Sequence, residues 1–84
     1  MTWFVYILRC EDTSLYTGVT PDVERRFQEH REGRGGRYTR LHRPKSIEYT
    51  ESFEEQEQAL AREKQLKGWK REKKEWLMNL RKPV

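Results

Sequence analysis

Trp3-Phe4-Val5-Tyr6-Ile7-Leu8 and Leu15-Tyr16-Thr17-Gly18 are two runs of aliphatic and aromatic residues separated by the turn-forming Glu11-Asp12-Thr13-Ser14. They read as neighbouring antiparallel strands. The first run carries large apolar residues on both of its faces, the mark of a central strand covered on both sides. Tyr6 and Tyr16 are thereby brought close in space. By themselves they signal little, because tyrosines in strands are ordinarily packing residues with a wet hydroxyl.

The stretch that follows, Thr20-Pro21-Asp22-Val23-Glu24-Arg25-Arg26-Phe27-Gln28-Glu29-His30, opens like a helix. Thr20 can cap free amides, Pro21 suits a first helical position, and Asp22 and Glu24 favour the positive end of the dipole. At 3.6 residues per turn Val23, Arg26, Phe27 and His30 share one face. Two polar groups on an apolar stripe cost free energy unless something pairs with them there.

A second helix is expected from Glu55 to Lys67, with Ala59, Leu60, Glu63, Leu66 and Lys67 along one stripe. Glu63 repeats the anomaly, and its plainest reading is the partner of a buried basic group, with Arg26 the obvious candidate. A third strand is expected from Ser46 to Thr50, where Ile47 and Tyr49 alternate with polar residues and Pro44 marks the entrance. Gly68 separates the second helix from a last one between Trp69 and Leu80, whose stripe of Trp69, Lys73, Trp76, Leu77 and Leu80 should pack on the domain. The expected fold is α/β, a small sandwich with a central three-stranded antiparallel sheet flanked by helices in the order β-β-α-β-α-α. With 84 residues, 33% of them hydrophobic, the chain supports one domain over residues 1–84 with a modest core.

Tyr6, Tyr16, Arg26, His30 and Glu63 also stand in the order and spacing of the GIY-YIG nuclease domain. The chain resembles that family over nearly its whole length and looks closest to small stand-alone bacterial members. Phe4-Val5-Tyr6 stands where glycine, isoleucine and tyrosine name the family, so only the tyrosine carries over. Tyr16-Thr17-Gly18 matches the second motif, and Arg26-x-x-x-His30 and Ala59 to Lys67 complete the pattern. The resemblance implies a metal-dependent endonuclease acting on DNA, structure-preferring rather than sequence-specific, with those five residues catalytic. Glu63 would hold one divalent cation, Mg2+ or Mn2+. Arg26 would grip phosphoryl oxygens with its fork of donors.

One tyrosine would take the proton from water. Arg26, the metal and His30 could each favour a phenolate-like Tyr6, with Tyr16 positioning water or phosphate, but neither tyrosine is singled out as the base. His30 has a structural reading beside the functional one. Gly18 marks either a close backbone approach or a strand bulge. Two residues of larger family members are not matched: Val19 and Thr20 follow Gly18 where those members carry a lysine, and Asn79 lies outside any motif.

Between the first helix and the third strand, residues 31–45 hold five arginines, one lysine, three glycines and a single acid. Arg31, Arg34, Arg37, Arg40, Arg43 and Lys45 can reach phosphates, and Tyr38 can stack on an unpaired base. DNA is the expected partner, with RNA the alternative. The bland reading is a solvated loop paired to Glu48, Glu51, Glu54, Glu55 and Glu57. Lys70, Arg71, Lys73, Lys74, Arg81 and Lys82 extend the positive charge or solubilise the last helix, and the formal net charge is +4.

Cys10, the single cysteine, excludes an internal disulfide or a cysteine zinc site and suits a reducing cytoplasm. No stretch reads as a signal peptide or a membrane span. Two other functions fit the same residues: a non-catalytic nucleic-acid-binding module that keeps the nuclease fold, and a protein-interaction domain using a Trp69/Trp76 face.

Overall fold

The structure, a computed structural model, describes residues 1–80. Within them three strands, β1 (Trp3–Cys10), β2 (Leu15–Thr20) and β3 (Pro44–Phe53), form one sheet. Its order is β2-β1-β3 with antiparallel pairing throughout. The helices are α1 (Val23–Arg31), α2 (Arg37–Leu41), α3 (Gln56–Lys67) and α4 (Arg71–Leu80). The α/β sandwich read from the sequence is the one observed, with β1 at its centre, and α2 is an addition inside the basic loop.

The β1–β2 turn is held by Asp12, whose carboxylate accepts from the Ser14 amide at 3.0 Å, and by a Cys10 amide bond to the Ser14 carbonyl at 2.8 Å. Side chains of β1 alternate between two cores, as the pleat requires. Val5 and Ile7 face Tyr49, Ala59, Leu66, Leu77 and Met78 on the α3/α4 side. Tyr6 and Leu8 face Phe27 on the α1 side, with Tyr16, Val23 and Ile47 around them. Arg9 ties three elements together, donating to Glu48 of β3 at 2.7 Å and to Glu75 of α4 at 2.5 Å.

Several boundaries differ from the sequence expectation. α1 is capped by Asp22, whose carboxylate accepts from the Arg25 amide at 3.1 Å. Thr20 instead ends β2 and accepts from the Asp22 amide at 3.2 Å. β3 is longer than its alternating centre, because pairing to β1 carries it from Pro44 to Phe53. On α3 only Ala59 and Leu66 of the expected stripe are buried, and Leu60 is 44% exposed. On α4 the inward residues are Leu77 and Met78, whereas Trp76 and Leu80 are 55% and 63% exposed. The expected stripe was one position out of phase, because β-facing packing of a ten-residue helix is set by where α3 delivers it. Trp69 precedes α4 and is partly buried, flanked by the Arg62 guanidinium and the Lys73 ammonium at 5.2 and 4.2 Å from its ring centre. Arg81 and Lys82 lie outside the described residues.

These burials separate two large apolar residues, Leu66 and Trp76, by exposure and not by size. Leu66→Ala should lower unfolding free energy by about 2–5 kcal/mol, since Leu66 is fully buried and leaves a cavity. Trp76→Ser should change it by less than about 1 kcal/mol. Urea unfolding of both variants checks the pair.

Candidate active site

Tyr6 stands opposite Gly18 in the β1–β2 ladder, and its ring lies across that glycine. A Cβ on residue 18 would sit 2.4 Å from the phenol oxygen and 2.6 Å from Cζ. The ladder runs through this point without a register shift, so Gly18 is a close approach and not a bulge. The missing side chain lets the phenol cross β2 to where α1 supplies its partners.

From α1, His30 places Nε2 2.8 Å from the Tyr6 oxygen. Its Nδ1 lies 2.7 Å from the Thr39 hydroxyl of α2. All three residues are at most 2% exposed. The Arg26 guanidinium lies beside the Tyr6 oxygen and can only donate. The Tyr6 proton therefore turns toward Nε2, and Nδ1–H donates to Thr39. Burial first, and then the Arg26 charge, push the His30 pKa down to about 4, so the ring is neutral at physiological pH.

Gly35 repeats the device seen at Gly18. A Cβ there would stand 2.0 Å from His30 Nδ1, while the Gly35 carbonyl accepts from Arg26 Nη2 at 3.0 Å. Arg26 also pairs with Glu29, one turn along α1, at 3.3 Å. Burial works against the Arg26 charge, and its pair with Glu29 together with the nearness of the Tyr6 oxygen outweighs it.

Burial likewise raises the Tyr6 pKa above the ordinary phenol value, with the neighbouring Tyr16 adding to the rise and Arg26 opposing it. Desolvation of the anion outweighs the nearby cation, so Arg26 and His30 by themselves do not yield the expected phenolate-like Tyr6. Tyr16 is only partly buried. Its ring centre is 6.3 Å from that of Tyr6 and 5.0 Å, edge-on, from that of His30.

Glu63 of α3 is near enough for its charge to add to the upward push on Tyr6. Its ion pair is with Lys67, one turn on, at 3.3 Å. Arg26 is not the partner expected for it, being held by Glu29 and Gly35. Of the five residues singled out in the sequence, His30 bonds the Tyr6 hydroxyl and Arg26 lies beside it, Tyr16 packs near both rings, and Glu63 acts on Tyr6 only through its charge.

The basic loop is more ordered than its glycines suggest. Gly33 and Gly36 adopt positive φ angles of 79° and 121°, which turn the chain from α1 into α2. Tyr38 stacks on His42 with ring centres 4.2 Å apart, so one face of the ring expected to receive a base is already covered. Its centre is 5.6 Å from that of Tyr16, and His42 is held by Asp12 at 2.5 Å. Arg34 pairs with Glu32. Two of the five acids expected to neutralise the loop pair with other arginines, Glu48 with Arg9 and Glu51 with Arg62. Arg31, Arg37, Arg40, Arg43 and Lys45 are exposed and form no ion pair among the described residues.

Sequence reasoning missed Gly35 and Thr39. A glycine between arginines reads as flexibility, and a threonine nine positions after a histidine matches no local period. The one available signal is that Gly35-Gly36 is the tightest glycine pair in the chain.

A three-stranded sheet with two tyrosines, an arginine, a histidine and a glutamate gathered around one strand defines a small nuclease-type domain. The chain belongs to the GIY-YIG nuclease family: residues 2–76 match the sequence model of the GIY-YIG catalytic domain. It is 49% identical to the UPF0213 protein HQ_3675A of Haloquadratum walsbyi, over 88% of this chain and 83% of that one. Two solution NMR structures share the fold. The UPF0213 protein BH0048 of Bacillus halodurans is 43% identical with a TM-score of 0.62, covering 96% of this chain and 86% of that one. Protein EF2693 of E. faecalis is 36% identical with a TM-score of 0.65, covering 95% and 85%. Among the described residues no helix is long and apolar enough to cross a membrane.

The neutral, buried His30 makes stability pH-dependent. Its folded pKa of about 4 lies below the ordinary value, so the unfolded chain binds the proton first. The stability present above pH ~6.5 should be lost as pH falls toward ~4, by roughly 2–3 kcal/mol. Urea unfolding across this range should show a steep fall for the native chain and a flatter one for His30→Gln, which is weaker at neutral pH. Gly18→Ala should cost about 1–3 kcal/mol by forcing the Tyr6 ring aside, read as a lower thermal midpoint.

Proposed function

We propose that this protein is a metal-dependent endonuclease that hydrolyses phosphodiester bonds in DNA, selecting structure rather than sequence. The observation that supports the reading is the Arg26 guanidinium beside the Tyr6 hydroxyl, with the Tyr16 ring centre 6.3 Å from that of Tyr6 and the Glu63 charge felt at the same phenol. Hydrolysis needs an activated water, neutralisation of charge on the phosphoryl oxygens and help for the departing oxygen.

Arg26 is the phosphate ligand. Its bonds to Glu29 and the Gly35 carbonyl fix the plane of its fork before substrate arrives. Tyr16 takes the proton from the attacking water. Of the two neighbouring phenols Tyr6 is disfavoured for this role by its burial, and the less buried Tyr16 is the one that water reaches. Tyr6 and the neutral His30 are the rigid support on which Tyr16 and Arg26 rest.

The residues fit a divalent cation held by one protein carboxylate. Among the described residues there is no group of three or more His, Cys, Asp or Glu side chains able to hold a metal ion, and Mg2+ commonly takes one or two carboxylates with water and phosphate completing its shell. Glu63 would hold the ion. Its Lys67 partner is 54% exposed, and such a surface pair is weak enough to yield to a cation. When bound, Mg2+ or Mn2+ would stabilise negative charge on the phosphoryl and leaving oxygens.

The Glu63–Lys67 pair equally favours a second reading, a binding module whose carboxylate is only a surface ion-pair partner. Cleavage of labelled DNA and RNA with Mg2+, Mn2+ or EDTA separates the two. Glu63→Gln should stay folded and bind nucleic acid while losing cleavage; full activity in that variant overturns the nuclease reading. Tyr16→Phe should lower kcat by about 10²–10⁴ with little change in stability. Tyr6→Phe should instead cost about 1–3 kcal/mol of stability by orphaning His30 Nε2.

A further inference from the structure

Behind the Tyr6–His30–Thr39 chain the surface opens into a cleft of about 210 Å³. Arg31, from the last turn of α1, Arg40, from α2, and Arg43, from the link into β3, converge on it, and His30 and Thr39 form part of its wall. Glu32 also lines it, but that carboxylate is committed to Arg34. None of the three guanidinium groups has an acidic partner among the described residues, and Arg31 has only the Phe27 ring, 5.8 Å from its Cζ. Three like charges around one concavity repel each other unless an anion joins them. Neither ring nitrogen of His30 is available to such an anion, because one is bonded to Tyr6 and the other to Thr39.

We infer that this cleft is a second phosphate subsite, one that holds a backbone phosphate of the same nucleic-acid strand whose scissile phosphate is gripped by Arg26. The inference rests on the nucleic-acid reading above and adds a place to it. His30 stands between the two sites, one ring nitrogen facing Tyr6 and the other facing the wall of the cleft. The strand is therefore held at two phosphates on either side of one rigid imidazole, which fixes how the scissile linkage is presented. Three guanidinium forks around one site suit the several oxygens of a phosphate better than lysines would. A contact to a backbone phosphate positions the strand without reading its sequence.

The test is fluorescence anisotropy of a labelled single-stranded oligonucleotide in EDTA, which separates binding from cleavage. Binding is followed over a salt series for the native chain, for Arg40→Gln/Arg43→Gln, and for Lys70→Gln/Arg71→Gln at the start of α4. Loss of one phosphate contact should lower the slope of log K against log salt by about 0.7 in the cleft variant. It should also weaken binding by about tenfold or more, with the α4 variant keeping the native slope. Arg40→Lys/Arg43→Lys should recover the slope while remaining weaker in affinity.

An unchanged slope in the cleft variant overturns the subsite, and so does an equal fall in both glutamine variants, which would mean diffuse attraction only. Amide NMR shifts at Gly33, Arg40 and Arg43 that saturate with inorganic phosphate below millimolar concentration would assign the cleft to a free anion and also overturn it. Failure of the nuclease reading would show separately, as a native chain that does not cut with metal although its binding slope still depends on Arg40 and Arg43.

Discussion

The site depends on an absence of matter at residue 18. Because Gly18 has no Cβ, the hydroxyl end of the Tyr6 ring lies over its backbone, and from there its oxygen meets His30, which in turn meets Thr39. Each link satisfies a polar group that has left water, and each would be costly to leave unpaired. Gly35 provides the same room beneath the imidazole. Two glycines thus allow two rings to approach the backbone, and the hydrogen-bonded rings lock α1 and α2 to the sheet. The pairing is collective, since moving any one member strands its neighbours.

The same geometry explains a departure from the family pattern. Phe4 and Val5 stand where glycine and isoleucine would be, yet Val5 points into the opposite core with Ile7 and Leu66, and Phe4 pairs with Thr20 and Ser52 across the two ladders. Only Tyr6 reaches the site from this strand. The two preceding positions answer to packing, so their change leaves the cluster around Tyr6 in place.

Much of the fold was legible because its signals are local. The apolar double-faced run of β1, the turn at Asp12 and the face shared by Val23, Arg26, Phe27 and His30 rest on periods of 2 and 3.6 that a sequence displays directly. The five candidate residues stand out in the sequence only as an ordered set, because a tyrosine on a strand or a glutamate on a helix has a plain structural role when taken alone. Other features depend on distance in space. Leu60 and Trp76 turned outward because Ala59 and Leu66 of α3 and Leu77 and Met78 of α4 are the residues that pack with Val5 and Ile7. Arg26 and Glu63 found partners one turn away on their own helices rather than each other. Thr39 and Gly35 gained meaning only when α2 folded back over His30.

Glu63 reaches the site from the opposite layer to α1, and the chain order gives this a temporal side. Tyr6, Tyr16, Arg26 and His30 belong to the hairpin and first helix, which can meet through short-range contacts as soon as they leave the ribosome. The carboxylate follows only after α2 and β3 have been made and β3 has paired along the free edge of β1. A nascent or partly unfolded chain therefore carries the basic and aromatic groups without the carboxylate beside them, and all five residues are assembled only in a finished fold.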